Sequence, residues 1–105
     1  MAYEHAMREI ARNLVQMHGK LVEVRCISGH HPCRIEMVFA DGHKIVVGEH
    51  DGRVDITMMK FGYHGTGTQC FHAFLDEAGI KVSLDELYTM QGPKTLRPSE
   101  REEAE

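Results

Sequence analysis

Cysteine is scarce in this chain, long apolar runs are missing, and positive charge is nowhere concentrated. The three cysteines in 105 residues form an odd number without framework spacing. They exclude a disulfide-stapled secreted scaffold and point to a reducing compartment. No apolar stretch approaches the roughly eighteen residues of a membrane-spanning helix, and the first residues carry no signal-peptide apolar core. A cytoplasmic location without membrane contact is therefore expected. Arg8, Arg12, Arg25, Arg34, Lys44, Arg53 and Lys60 each stand near an acid, and the formal charge is −4. A phosphate backbone is gripped by clustered cations, so nucleic acid is not expected as the main partner. No repeat recurs at solenoid periods.

What is present suits one domain with one modest core. Hydrophobic residues make up 42% and charged residues 27%, ordinary values for a globular protein. Eight dispersed histidines stand out, because protonating all of them would carry the net charge from −4 to +4. Stability is expected to fall in mild acid if some are held neutral and partly buried, and His43, opposite Phe39, is the first candidate.

Residues 3–18 predict an amphipathic helix, with Tyr3, Met7, Ile10, Leu14 and Met17 on its apolar stripe and Gly19 as its terminator. Four strands follow at about 21–28, 33–39, 43–49 and 53–60. Taking Ser28 to Pro32 as the first connection sets Cys26 against Cys33, Val24 against Ile35 and Val22 against Met37. Ala40-Asp41-Gly42 reads as a type I turn with Gly42 in a left-handed bulge position, which sets Met37 against Ile45 and Ile35 against Val47. Asp51-Gly52 reads as a two-residue turn that sets Val47 against Ile56 and Ile45 against Met58. A slip by one residue would turn an apolar set to the wrong face, so agreement among three turns specifies the sheet. A second helix over 68–78 has Phe71, Phe74, Leu75 and Ala78 on one side and ends in a Gly79-Ile80 Schellman pattern. Ser83-Leu84-Asp85-Glu86 is a capping box opening a short third helix to about Met90.

The fold expected is α+β, in the order α-β-β-β-β-α-α. A four-stranded antiparallel meander carries the two longer helices on one face. Residues 1–92 form the domain, and 93–105 are a polar C-terminal tail. The other sheet face mixes Leu21, Val38, Val46 and Met59 with charges, an apolar strip of the sort a partner covers.

Three clusters bear on chemistry. The glycine-rich loop 62–68 leads into the second helix. Its His64, Gly65, Thr66, Gly67 and Thr68 combine backbone access, hydroxyls and a helix N-terminus, the ingredients of an anion, phosphate or nucleotide site. It lacks the Lys-Ser/Thr of a phosphate-binding P-loop and the βαβ setting of a dinucleotide fingerprint; the alternative is a connector that caps the helix. Cys70, near the start of that helix, would be an activated thiol if the N-terminus lowered its pKa and His64 or His72 served as base; the alternative is a small core residue. Cys26, His30, His31 and Cys33 cluster around the first hairpin and would make a zinc site, although their spacing is not a usual ligand knuckle and the register turns both thiols inward. No cofactor or metal is expected.

Helix, antiparallel strands and a glycine-bearing entry into a later helix resemble the double-stranded-RNA-binding domain in outline. Gly65-Thr66-Gly67-Thr68-Gln69 lacks the lysines that grip phosphates there, and four strands stand where that fold has three. No complete catalytic constellation is present. The function expected is a small non-enzymatic protein-interaction module whose partner is another protein or a second copy, the latter as a homodimer through the open sheet face or an edge strand. Binding of a small anionic ligand at 62–68 is the alternative.

Overall fold

A computed structural model describes residues 2–29, 33–48 and 59–98. The chain is α+β: a four-stranded antiparallel sheet with its helices gathered on one face. The first helix, α1, spans Ala2–His18. Met7 and Ala11 are buried, with Ile10, Leu14 and Val15 packed against the core. Tyr3 and Met17, expected on the stripe, are exposed; the buried stripe is centred on Met7 and Ala11. Gly19 ends the helix at φ 85°, donating its N–H to the Val15 carbonyl at 2.9 Å.

Strands β1 (Leu21–Gly29), β2 (Cys33–Phe39) and β3 (Lys44–Gly48) form the meander. Between β2 and β3 the register follows the Gly42 turn: Met37 pairs with Ile45 and Ile35 with Val47. Gly42 has φ 92° and gives its N–H to the Phe39 carbonyl. Between β1 and β2 the register differs from expectation. Val24 pairs with Met37, Cys26 with Ile35 and Gly29 with Cys33, with irregularities between Leu21 and Glu23 and between Cys26 and Ser28. The pairing moves by two residues, so Val24, Cys26, Ile35 and Met37 stay inward. Each irregularity inserts one residue, Val22 or Ile27, and beyond it the strand changes face. Leu21 thereby turns into the core opposite Phe39 while Val22 is left half-exposed.

The fourth described strand, β4 (Lys94–Leu96), pairs antiparallel with β1, giving the order β3-β2-β1-β4. It comes from residues read as tail, so the ordered unit extends past 92. The expected strand at 53–60 lies outside the described residues except for Met59 and Lys60, which are not in a strand. Its pairings to Ile56 and Met58 lie outside them as well.

Helix α2 spans Thr66–Ala78 and α3 spans Leu84–Thr89. The Schellman ending forms as expected, with Gly79 at φ 97° and the Ile80 N–H on the Leu75 carbonyl at 2.9 Å. Ser83 caps α3 by accepting the Glu86 N–H at 3.0 Å. The Glu86 carboxylate reaches forward to Lys94 at 3.4 Å, linking α3 to β4. Helices α1 and α2 are clamped by Arg8 on Asp76 at 2.8 Å and Arg12 on Glu77 at 3.1 Å.

All four phenylalanines, Phe39, Phe61, Phe71 and Phe74, are fully buried among Leu21, Val24, Ile35, Met37, Met59, Leu75, Ile80 and Leu87. Burying each such side chain is worth roughly 1.5–3 kcal/mol. Gly29 and Gly92 let backbones touch: a Cβ on Gly29 would overlap the Phe61 carbonyl oxygen, and one on Gly92 the Ile27 carbonyl oxygen.

Candidate functional site

The glycine-rich loop is a packed corner. Gly62, at φ 90°, donates its N–H to the Leu87 carbonyl at 2.8 Å, and the Lys60 N–H reaches the Gly67 carbonyl at 3.1 Å. Thr68 is fully buried, and its hydroxyl donates to the Tyr63 carbonyl at 2.7 Å. The Tyr63 ring lies where a side chain on Gly65 would stand. Gly67 is buried, and the His64 ring stacks on Tyr88 with centroids 3.8 Å apart. Of the ligand set His64, Gly65, Thr66, Gly67 and Thr68, Gly67 and Thr68 are buried within the protein's own packing, Gly65 is half-buried, and His64 and Thr66 are exposed.

Cys70 is fully buried, and burial, with the Glu4 charge, pushes its thiol pKa up. A helix N-terminus lowers a thiol pKa only where the thiolate can be solvated or paired, so the nucleophile reading of Cys70 with His64 or His72 is not supported. His72 instead lines a crevice of about 220 Å³ with Glu4, Arg8, Gln69, Ala73 and Leu84. Cys26 and Cys33 do not face each other, because the shifted register sets Cys26 opposite Ile35 and Cys33 opposite Gly29. Both are buried free thiols. Burial pushes Cys26 up to about 12, and the Cys33 thiol donates to the Met59 carbonyl at 3.3 Å. Their companions His30 and His31 lie outside the described residues. Among the described residues, no group of three or more His, Cys, Asp or Glu is placed to hold a metal ion.

His43, expected to be partly buried, is exposed. Its ring stacks on His18 at 3.8 Å with only 3° between planes, and Asp41 accepts from His18 Nδ1 and from the His43 N–H, each at 2.8 Å. These contacts tie the end of α1 to the β2–β3 turn.

The expected interface strip is halved. Leu21 and Met59 are fully buried core residues; the irregularity at Val22 turns Leu21 inward, and Met59 sits beside the Cys33 thiol. Val38 and Val46 remain on the outward face, half-buried. They stand among charges in two rows that cross the strands. One row is Thr95, Arg25, Glu36 and Val46; the other contains Glu23, Val38 and Lys44. Arg97, just past β4, donates to Glu23 at 3.2 Å at the end of the second row.

Glu36 anchors this face. Arg34 binds it through Nε at 3.1 Å and Nη2 at 2.8 Å, Lys44 stands 3.6 Å away and Arg25 3.9 Å. The Arg34 guanidinium, aided by Lys44, holds the Glu36 carboxyl below the usual carboxylate range despite partial desolvation. Glu23 is lowered by Arg25, whose Nε donates to it at 2.8 Å, and by Arg97. The strand alternation already puts Glu23, Arg25, Arg34, Glu36 and Lys44 on one face. Arg97 was beyond sequence reasoning, since nothing in Pro93 to Pro98 reveals a strand paired seventy residues back.

Comparisons with protein-family models, with characterised proteins and with solved structures found no match. No described helix is long and apolar enough to cross a membrane.

Proposed function

We propose that this chain is a small protein-interaction module whose working surface is the outward face of the sheet. One observation carries the reading. The inward face carries the buried core shared with the helices, while Val38 and Val46 stand half-buried on the outward face within a ring of ion pairs. Interfaces of this kind pair a small apolar centre with a polar rim. With Leu21 and Met59 withdrawn into the core, the remaining apolar area is small for a homodimer, whose interfaces are more apolar than other contacts. A face-to-face pair would also bring together two surfaces that each carry, among the described residues, more cations than carboxylates. On this reading the partner is a different protein, the first of the two partners expected from the sequence.

A photo-crosslinking side chain at Val46, and separately at Arg12 on α1, tests this in cells that make the protein. A discrete heteromeric adduct from Val46 and none from Arg12 is the expected result. The reverse pattern would remove the reading. Sedimentation of the purified chain should give a monomer; a dimer dissociated by Val46→Glu would return the face to a second copy.

A further inference from the structure

We infer that the outward sheet face takes an acidic segment of a partner protein, with carboxylates meeting Arg25, Arg34, Lys44 and Arg97 and apolar side chains resting on Val38 and Val46. This rests on the reading of the face as a protein-contact surface and adds the chemistry of what it contacts.

The argument starts from accessibility. The side chains of Arg25, Arg34, Lys44 and Arg97 are 46–64% exposed, whereas those of Glu23 and Glu36 are 22% and 9% exposed. The two carboxylates lie beneath the cations, and their oxygens are already engaged. An arriving molecule meets positive groups first. Among the described residues of this face, four cations to two carboxylates leave an excess of two positive charges, on a chain whose formal charge is −4. Arginine has five N–H donors in a fixed fork, and Arg34 commits only the Nε and Nη2 edge to Glu36. Donors therefore remain for a second carboxylate. Glu23 and Glu36 also hold the guanidinium groups in place, so less side-chain entropy is lost on binding.

The same face argues against a nucleic acid. Its described outward positions include no aromatic side chain to stack a base. Two carboxylates lie among its cations, where a phosphate backbone would prefer none. Val38 and Val46 add apolar contacts that a phosphate chain cannot use. A protein segment alternating acidic and apolar residues matches both features.

The test titrates the isotope-labelled full chain with a short synthetic peptide alternating glutamate and valine. Its glutamine counterpart and a single-stranded DNA oligonucleotide are run beside it. Amide shift changes should be confined to the outward residues of β1, β2 and β3 and to β4 with Arg97. Affinity should fall at least about tenfold when two charge-assisted contacts are removed in an Arg25→Gln, Arg97→Gln double variant. Raising the salt from about 50 to about 300 mM should weaken binding strongly, because the contacts are exposed charges. The unliganded spectrum of the double variant reports that it remains folded. Equal binding of the glutamine peptide, tighter binding of the oligonucleotide, shifts on the helical side, or no binding at all would each overturn the acidic-partner assignment. In any of those cases an adduct from Val46 would leave the module reading standing, while loss of that adduct alone would strike the module reading.

Discussion

The two faces of the sheet are made from the same strands by alternate residues and share almost no chemistry. Inward stand Val24, Cys26, Ile35, Met37 and Val47, fully or almost fully shielded from solvent. Outward stand Glu23, Arg25, Arg34, Glu36, Lys44 and, just past β4, Arg97, all joined by ion pairs. Burial of apolar area drives the first set together. The exposed cations of the second set contribute little to folding, since ion pairs made by exposed side chains are worth about 0–1 kcal/mol each. An arrangement of six charged side chains that adds so little stability is free to serve recognition. The difference gives the inward face its role in stability and leaves the outward face as the surface proposed for contact.

The comparison breaks most visibly from the inside. Phe74→Ala should cost about 3–5 kcal/mol and Ile35→Ala about 2–5 kcal/mol, the range for emptying a packed site. Urea unfolding of each variant measures this, and a loss below about 0.5 kcal/mol at both would mean the inward set has been misassigned. Gly29→Ala and Gly92→Ala come next, at about 1–3 kcal/mol each, because the added methyl meets a carbonyl oxygen of a neighbouring backbone. Unchanged melting temperatures for both would show that those backbones separate readily.

Acid sharpens the comparison from the outside. Glu23, Glu36, Asp41 and Asp76 are held below their ordinary pKa, chiefly by Arg25, Arg34, His18 and Arg8 respectively. A carboxyl whose folded pKa is depressed contributes stability above its unfolded value, roughly 4, and loses it as pH falls through the folded value. Melting temperature should therefore decline below about pH 4. A rise on acidification through that window would contradict the ion-pair assignments. The thiols make a smaller statement. With Cys26 pushed up to about 12 and all three cysteines buried, the native protein should react with a disulfide reagent only as fast as it opens. Prompt labelling of one thiol per chain would place Cys70 or Cys33 at the surface. The smallest effect belongs to the outward cations: Arg25→Gln should shift stability by about 0.5 kcal/mol or less.

Several features of the fold can be read from residues alone, and the reason differs from place to place. Gly42 after Asp41 dictates a turn type, the turn dictates the β2–β3 register, and both are found. Gly79-Ile80 and Ser83 act locally and announce the ends of α2 and α3. The irregularities at Val22 and Ile27 have no such residue code, because a bulge in a strand tolerates ordinary β-formers. Leu21, one of the four residues of the supposed strip, is therefore misplaced by pattern reading. Strand β4 is three residues long, too short for alternation to show, and it pairs far back in the chain. Val38, Val46, Arg25, Arg34, Glu36 and Lys44 are legible as one face; Arg97 is not, since its place depends on that pairing.

Val46 and Val47 allow the division of labour to be tested with one substitution at adjacent positions. Val47 is fully buried on the inward face, and Val46 is half-buried on the outward one. Thermal melts of Val46→Asp and Val47→Asp, each carrying a photo-crosslinker at Val38, compare them directly. Val47→Asp should cost at least about 3 kcal/mol, because it places an unpaired charge in the core. Val46→Asp should melt close to the unsubstituted chain and yet lose the partner adduct. Equal destabilisation by both, or a Val46→Asp protein that keeps its adduct, would contradict the account.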